Sequence, residues 1–389
     1  MKTKVAIIIE RADVALGGAE RSVSELAEAI GAIGYETHIL AAKGRATAPN
    51  VHILCADAGG KRTSYQVFAN ALKKHTEQTH YDILHSVLPF YFADIYQPRS
   101  GTFAESIIRK AATYRCPVLQ TLKRKTAFLN FRRTAWFGAE RRLAEGQTGP
   151  LVIAISNYVA EQFRTHYHIP ENRMVVIPNG IKPAGELDKS RVDSLRTKLS
   201  AGTGSILFLF VGHDFKRKGL DCLVEAIGKL QKTDNHTSAR LVVAGRASST
   251  AYRRLAAKLG VEERIVFLGA VNNVQELIAA TDVAVLPTFD DPCSRFILEA
   301  LAAGKPVITT KFNGAIDLFV GNKHGKAIDG PRDIAALSEA IGYFTNRDNL
   351  NRAANAIISD NLRRNVSVAR VAQQLKIVYD DILAKRGRR

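Results

Sequence analysis

The residues best suited to chemistry lie together late in the chain: Asp291-Pro292-Cys293-Ser294-Arg295-Phe296-Ile297-Leu298-Glu299. Asp291 and Glu299 are eight positions apart, about 12 Å along a helix that rises about 1.5 Å per residue. Asp291 reads as an N-cap, with Pro292 as the first helical residue. Gly304 and Pro306 close the segment. Backbone amides near Cys293, Ser294 and Arg295 would then point out of a helix N-terminus, a natural seat for an anion. Acid, amides and second acid span the length of a nucleoside diphosphate sugar, with Phe296 inside that span. The plainer alternative is a capping Asp291 and a solvated Glu299.

A second set of residues suits the same kind of ligand. Gly212 to Gly219 follows a strand and carries Lys216, Arg217 and Lys218. Fixed cations beside a helix start can neutralise a diphosphate, although a solvated basic turn has the same composition. The chain contains no Asp-x-Asp pair, so charge on a leaving diphosphate would fall to Lys and Arg rather than to a metal. Gly17-Gly18 follows the first strand but is not Gly-x-Gly-x-x-Gly, so the dinucleotide fingerprint is missing. The two glycines either let backbone approach a ligand or make a tight turn. Arg246 and Val271 each stand just after a further strand.

These residues need strand ends to hold them, and the sequence supplies two series of strands. In the first half, strand-like segments at residues 5–9, 37–41, 51–54, 82–87, 117–120, 151–155 and 174–177 alternate with helical patterns. A second series begins at 205–211 and continues at 240–244, 264–268, 282–286 and 306–309. Such alternation predicts an α/β chain with a covered parallel sheet in each half. The boundaries predicted are 1–181 and 182–365, the latter opening on a polar linker at 182–204, with a last helix at 366–389 packing back on the first domain. The two Rossmann-like domains are expected to face each other across a cleft.

With 389 residues, 46% of them hydrophobic and 24% charged, the chain has the size and balance of a two-domain globular protein. A formal net charge of +18 points to an anionic partner: nucleic acid, a lipid surface or phosphorylated compounds. Cys55, Cys116, Cys222 and Cys293 are isolated, giving neither a disulfide framework nor a zinc motif and fitting a reducing cytoplasm. Residues 5–9 before Glu10 read as a strand and not as a signal peptide. No apolar run reaches membrane-spanning length.

Between Lys123 and Arg142 stand seven cations and one anion, interleaved with Phe128, Phe131, Trp136 and Phe137. Phe128, Phe131 and Ala135 share a helical face, whereas Trp136 and Phe137 do not. This segment could lie on an anionic membrane surface, hold a phosphorylated acceptor, or pack its aromatics inward as an ordinary basic helix. Asp94 and His85 are further candidates in the first half, with a packed histidine the plainer reading of His85.

The order of short motifs narrows the class. Gly17-Gly18-x-Glu20, Pro178-Asn179-Gly180-Ile181, Gly212 with Arg217-Lys218-Gly219, Val243-Ala244-Gly245, Phe267-Leu268-Gly269-x-Val271 and the Asp291 to Glu299 stretch follow one another along essentially the whole chain. This order resembles the retaining GT-B glycosyltransferases of family four. Val211-Gly212-His213-Asp214-Phe215 and Phe90-Tyr91-Phe92-Ala93-Asp94 resemble the lipopolysaccharide core glucosyltransferases in particular. The resemblance implies that Glu299 receives the donor ribose hydroxyls and Asp291 contacts the donor sugar. It implies that Arg217 and Lys218 hold the diphosphate with amides near Ser294 and Arg295, that Gly18 meets the sugar-phosphate, and that Val271 offers backbone to the base.

Three positions depart from the pattern. Asp291 stands where the family usually has Glu, Cys293-Ser294 replaces Phe-Gly, and Lys123 occupies a position where many members place histidine. Without that histidine, a diphosphate leaving from the face that the acceptor attacks can take the acceptor proton itself, the protein holding both substrates in register. The expectation is a metal-independent hexosyltransferase with a UDP-sugar donor, UDP-glucose first. It would act on an envelope glycan such as the lipopolysaccharide core, or on another lipid-linked or phosphoinositol acceptor, at the inner face of the cytoplasmic membrane. A nucleic-acid-binding protein would explain the charge but has no recognition motif here, and a nicotinamide-dependent oxidoreductase lacks its glycines.

Overall fold

The computed structural model of the chain describes residues 2–13, 18–56, 63–200, 204–233 and 238–387. The chain divides into two compact units. One comprises Met1–Lys182 with Val368–Arg389, and the other Pro183–Ser367.

Among the described residues the first unit is built on seven strands: β1 (Lys4–Arg11), β2 (Glu36–Lys43), β3 (Val51–Ile53), β4 (Ile83–Ser86), β5 (Ile95–Tyr96), β6 (Leu151–Ala154) and β7 (Met174–Val176). They lie side by side in the order β3-β2-β1-β4-β5-β6-β7, and every pairing is parallel. Alternation along β1 shows why its run is apolar throughout. Val5, Ile7 and Ile9 face one layer with Val23, Leu26 and Ile30 of the Gly18–Ala32 helix. Ala6 and Ile8 face the other, with Phe68, Leu72 and Phe90. A strand covered on both faces has no polar side to show.

The last helix, Val368–Gly387, completes the first of those layers through Val371, Leu375 and Tyr379. Each such side chain, fully buried, contributes roughly 1.5–3 kcal/mol of transfer free energy. Tyr379 also brings a hydroxyl to the sheet, 2.7 Å from His85 Nδ1. Val368 N donates to Ile181 O at 2.8 Å, and Arg370 Nη2 donates to Pro178 O at 2.6 Å. The returning helix is thus bonded to the very segment by which the chain leaves this unit.

One expectation fails here. Residues 117–120 are the first turn of the Pro117–Thr126 helix and not a strand. Proline at the first helical position has no N–H to lose, and a four-residue apolar run cannot by itself distinguish strand from helix. The strand that fills the missing place is β5, only two residues long. The chain between β4 and β5 makes its crossover with residues 87–94 and no helix, burying Phe90 and stacking Phe92 against it at 5.3 Å.

The second unit holds β8 (Ile206–Val211), β9 (Ala239–Ala244), β10 (Ile265–Gly269), β11 (Val283–Leu286), β12 (Val307–Thr310) and β13 (Gly325–Ile328). Their order is β10-β9-β8-β11-β12-β13, and the pairings are parallel. From β8 the chain adds strands on one side, then returns to add β11 on the other. The reversal opens a crevice beyond the carboxyl ends of β8 and β11, the usual place for a ligand in such sheets.

Candidate active site

Two loops meet at that crevice, and a glycine sets their distance. Gly219 has φ +76°, and a Cβ there would stand 2.0 Å from Pro287 O. Only a residue without a side chain lets the end of the β8 loop lie on the start of the β11 loop. The loops are then joined by hydrogen bonds: Phe289 N donates to Arg217 O at 2.9 Å and Thr288 Oγ1 to the same oxygen at 3.2 Å.

This joint brings together the acid and cation singled out in the sequence. Lys218 Nζ donates to Asp291 Oδ2 at 2.6 Å and also reaches Asp290 O at 3.4 Å. Lys218 is only 7% exposed, so its charge is largely withheld from bulk water. Arg217 stands between two acids, 3.6 Å from Asp214 and 3.9 Å from Asp290. Burial, reinforced by the Arg217 and Lys218 cations, holds the His213 imidazole below its ordinary pKa.

The helix expected to start at Asp291 starts later. Ser294 is the N-cap of the Arg295–Ala302 helix, its Oγ accepting from Ile297 N. Asp291 is engaged otherwise: its N–H donates to Phe312 O at 2.9 Å, and its carbonyl accepts from Gly314 N at 2.9 Å. A partner some twenty residues away therefore displaces the local capping signal and leaves the Asp291 carboxylate to Lys218. Glu299 lies on the same helix, its Oε1 accepting from Arg295 Nε at 2.9 Å. Phe296 points its ring into the core, 7% exposed, so any part it takes at the crevice is through backbone.

Asn313 holds this arrangement and was not picked out from the sequence. It is fully buried; Oδ1 accepts from Ser294 N and Ala315 N, and Nδ2 donates to Thr309 Oγ1. Its signal is geometric only, since nothing in the local pattern around residue 313 marks it.

Gly245, φ +153°, closes the β9 loop against Gly212, whose carbonyl oxygen would lie 1.9 Å from an added Cβ. Beside it, Phe215, Phe267, Gly269 and Arg253 line a cavity of about 270 Å³. Arg253 lies over the Phe267 ring at 4.6 Å. Arg246 is exposed beyond this loop, and Val271 is half-buried after Gly269.

Residues 16–184 match the model of Glycosyltransferase Family 4, and residues 192–359 match Glycosyl transferases group 1. The two matches adjoin and take in both units. The chain belongs to the GT-B glycosyltransferases.

Lipopolysaccharide glucosyltransferase WaaG of Escherichia coli (strain K12) is 31% identical over 201 residues, which is 51% of this chain and 53% of WaaG. The D-inositol 3-phosphate glycosyltransferase of Corynebacterium glutamicum (strain R) is 26% identical over 56% of this chain and 54% of its own length. The chain thus spans about half the length of these relatives. The crystal structure of WaaG superposes with a TM-score of 0.74 at 22% identity, covering 97% of this chain and 99% of that one. Anabaena Alr3699/HepE, solved in complex with UDP and glucose, gives 0.68 at 17% identity, covering 97% and 100%. At such identities the likeness speaks for the fold.

In this GT-B chain the first-unit candidates fall apart. Gly17 lies outside the described residues, and Gly18 opens the Gly18–Ala32 helix. His85 is fully buried, held by Tyr379, and its pKa is pushed down to about 3, chiefly by burial. It is a neutral core histidine. Asp94 sits just before β5, at the amino end of the sheet, opposite the strand ends where a GT-B ligand would lie. Its Oδ2 accepts from Leu84 N at 2.7 Å and Oδ1 pairs with Arg386. Those partners make Asp94 a fastener between strand and last helix, and it leaves the catalytic set. Lys123 is exposed on the Pro117–Thr126 helix, above the Tyr114 ring.

The basic segment divides between interior and surface. Trp136 is buried, edge-on to Tyr65 and Phe90. Val118, Leu122, Phe128, Leu129 and Phe131 are exposed, Leu129 by 75% and Phe131 by 90%. Lys123, Arg124 and Lys125 are exposed among them, whereas Arg132 is tied to Glu10 at the end of β1. Among the described residues no group of three His, Cys, Asp or Glu is placed to hold a metal ion, and no helix is long and apolar enough to cross a membrane.

Proposed function

We propose that this chain is a retaining hexosyltransferase that takes a sugar, glucose first among candidates, from a UDP-sugar. It places that sugar on an envelope glycan such as the lipopolysaccharide core. The observation that carries this reading is the joint at the β8/β11 crevice, where Lys218 and Asp291 meet beside the Ser294-capped helix that bears Glu299. Arg217 and Lys218 take the charge of the leaving diphosphate, assisted by the helix start near Ser294 and Arg295. Asp291 contacts the donor sugar, Glu299 receives the ribose hydroxyls, and Val271 offers backbone to the base. No metal is required in this scheme. Gly17 and Gly18 remain candidates for the sugar-phosphate, and Arg246 for the nucleotide. The names of WaaG and of the UDP complex of HepE support the choice of donor and acceptor.

The acceptor side of the proposal rests on the first unit. It carries 30 Lys and Arg against 17 Asp and Glu, whereas the second carries 25 against 20. An apolar patch set among three exposed cations suits an anionic bilayer surface and supports a station for the enzyme on the inner face of the cytoplasmic membrane. A phosphoinositol acceptor is the second reading, favoured by the same charge and by the inositol phosphate relatives.

The test is UDP release from a panel of UDP- and GDP-sugars in EDTA, with and without membrane extract. Release from UDP-glucose that rises with extract is expected. Release that needs added Mg²⁺, or that comes only from GDP-sugars, would reject the metal-free UDP scheme.

A further inference from the structure

Arg295 occupies the first position of the Arg295–Ala302 helix, where the positive end of the helix dipole disfavours a cation. Its Nε donates to Glu299 Oε1 at 2.9 Å, one turn on. A cation placed N-terminal to its acid is the weaker order for such a pair. The two side chains are only 14% and 10% exposed, so both give up hydration as well. Helix stability alone therefore does not account for an arginine here. What the pair does achieve is orientation, because a carboxylate held at one oxygen by a planar guanidinium cannot rotate freely.

We propose that Arg295 is a positioning residue for Glu299. It fixes the plane of the carboxylate that receives the ribose hydroxyls of the donor, and it acts through Glu299 rather than on the diphosphate. The inference rests on the donor-site reading above and deepens it.

The test compares calorimetric binding of UDP and of 2′,3′-dideoxyuridine diphosphate to wild type, Arg295→Met and Arg295→Lys, with melting curves for each. Arg295→Met should bind UDP about tenfold more weakly, as expected for loss of a charge-assisted contact. It should bind the dideoxy compound as wild type does. In turnover KM should rise while kcat holds, and Arg295→Lys should recover part of the affinity. Unchanged UDP affinity in folded Arg295→Met overturns the proposal. So does an equal loss for both ligands, which would make Arg295 a diphosphate contact. If Arg295→Met melts early, Arg295→Lys carries the comparison: a smaller loss for UDP alone supports the proposal, and no loss overturns it. Failure of the underlying reading shows in wild type itself, as equal affinity for the two ligands or binding to neither.

Discussion

Lys218 Nζ and Asp291 Oδ2 lie 2.6 Å apart although 73 positions separate them in sequence. Their pairing keeps a nearly buried cation beside the crevice without leaving it uncompensated, since an unpaired buried charge is costly. A diphosphate entering the site would share a cation already held in place.

Lys218→Met keeps the stem and removes the charge. Turnover should fall about 100-fold or more, the usual cost of deleting one charge-stabilising donor, with a smaller change in UDP affinity. Steady-state kinetics alongside UDP calorimetry separates the two. A loss seen only in KM would limit Lys218 to ground-state binding.

Glu299→Gln preserves shape but weakens the acceptor. UDP should bind about 10- to 100-fold more weakly, the range for losing hydrogen bonds to a charged group. Glutamine is preferred to alanine because alanine would strand Arg295 in a nearly buried position. Unaltered UDP affinity in the folded variant would remove Glu299 from the ribose.

Glu140 gives a pH prediction away from the crevice. It is fully buried and accepts from Tyr96 OH, Tyr167 OH and Phe103 N, at 2.6, 2.6 and 2.7 Å. Burial outweighs these donors and pushes its pKa up to about 7. A carboxyl raised in the folded state stabilises most below its unfolded pKa near 4.5, and that contribution is lost as pH rises through about 7. The loss is on the order of 3 kcal/mol at 1.36 kcal/mol per unit. Melting temperature should therefore fall between about pH 4.5 and 7, and Glu140→Gln should flatten that slope. An unchanged slope in the variant would assign the pH effect to other groups.

The surface patch should be read by vesicle binding. Reversing Lys123, Arg124 and Lys125 to Glu should weaken binding to anionic vesicles by about 100-fold or more, at about 1 kcal/mol per basic residue. Phe131→Ser should weaken it independently of salt. Arg132 is a poor probe because it is bound to Glu10. Full vesicle binding by the triple variant would return the segment to an ordinary solvated surface.

Much of this was legible from the residue pattern, for reasons that differ by element. Runs such as residues 5–9 and 206–211 are apolar throughout because both faces of their strands are covered, and that leaves a plain signature. Gly219 and Lys218 were visible because a glycine beside cations after a strand has few uses. The start of the Arg295–Ala302 helix was misplaced because Asp291-Pro292 imitates a capped start, while its real partners, Phe312 and Gly314, are remote. Asp94 was misassigned because an acid in an aromatic loop gives no hint of which end of the sheet it will reach. Strand β5 was too short to carry a period, and Asn313 works only through contacts made after folding.

The first unit is not one continuous length of chain. Part of one helical layer arrives from the far end, where Val371, Leu375 and Tyr379 pack with the Gly18–Ala32 helix and Tyr379 supplies the bond to His85. A stop codon after Ser367 would therefore injure the half of the protein encoded earliest and leave the half just translated nearly untouched. Residues 183–367 can be excised as a single fragment, whereas the other half can be made alone only by splicing residue 182 to residue 368. Val368 N already donates to Ile181 O, so that splice would need almost no linker.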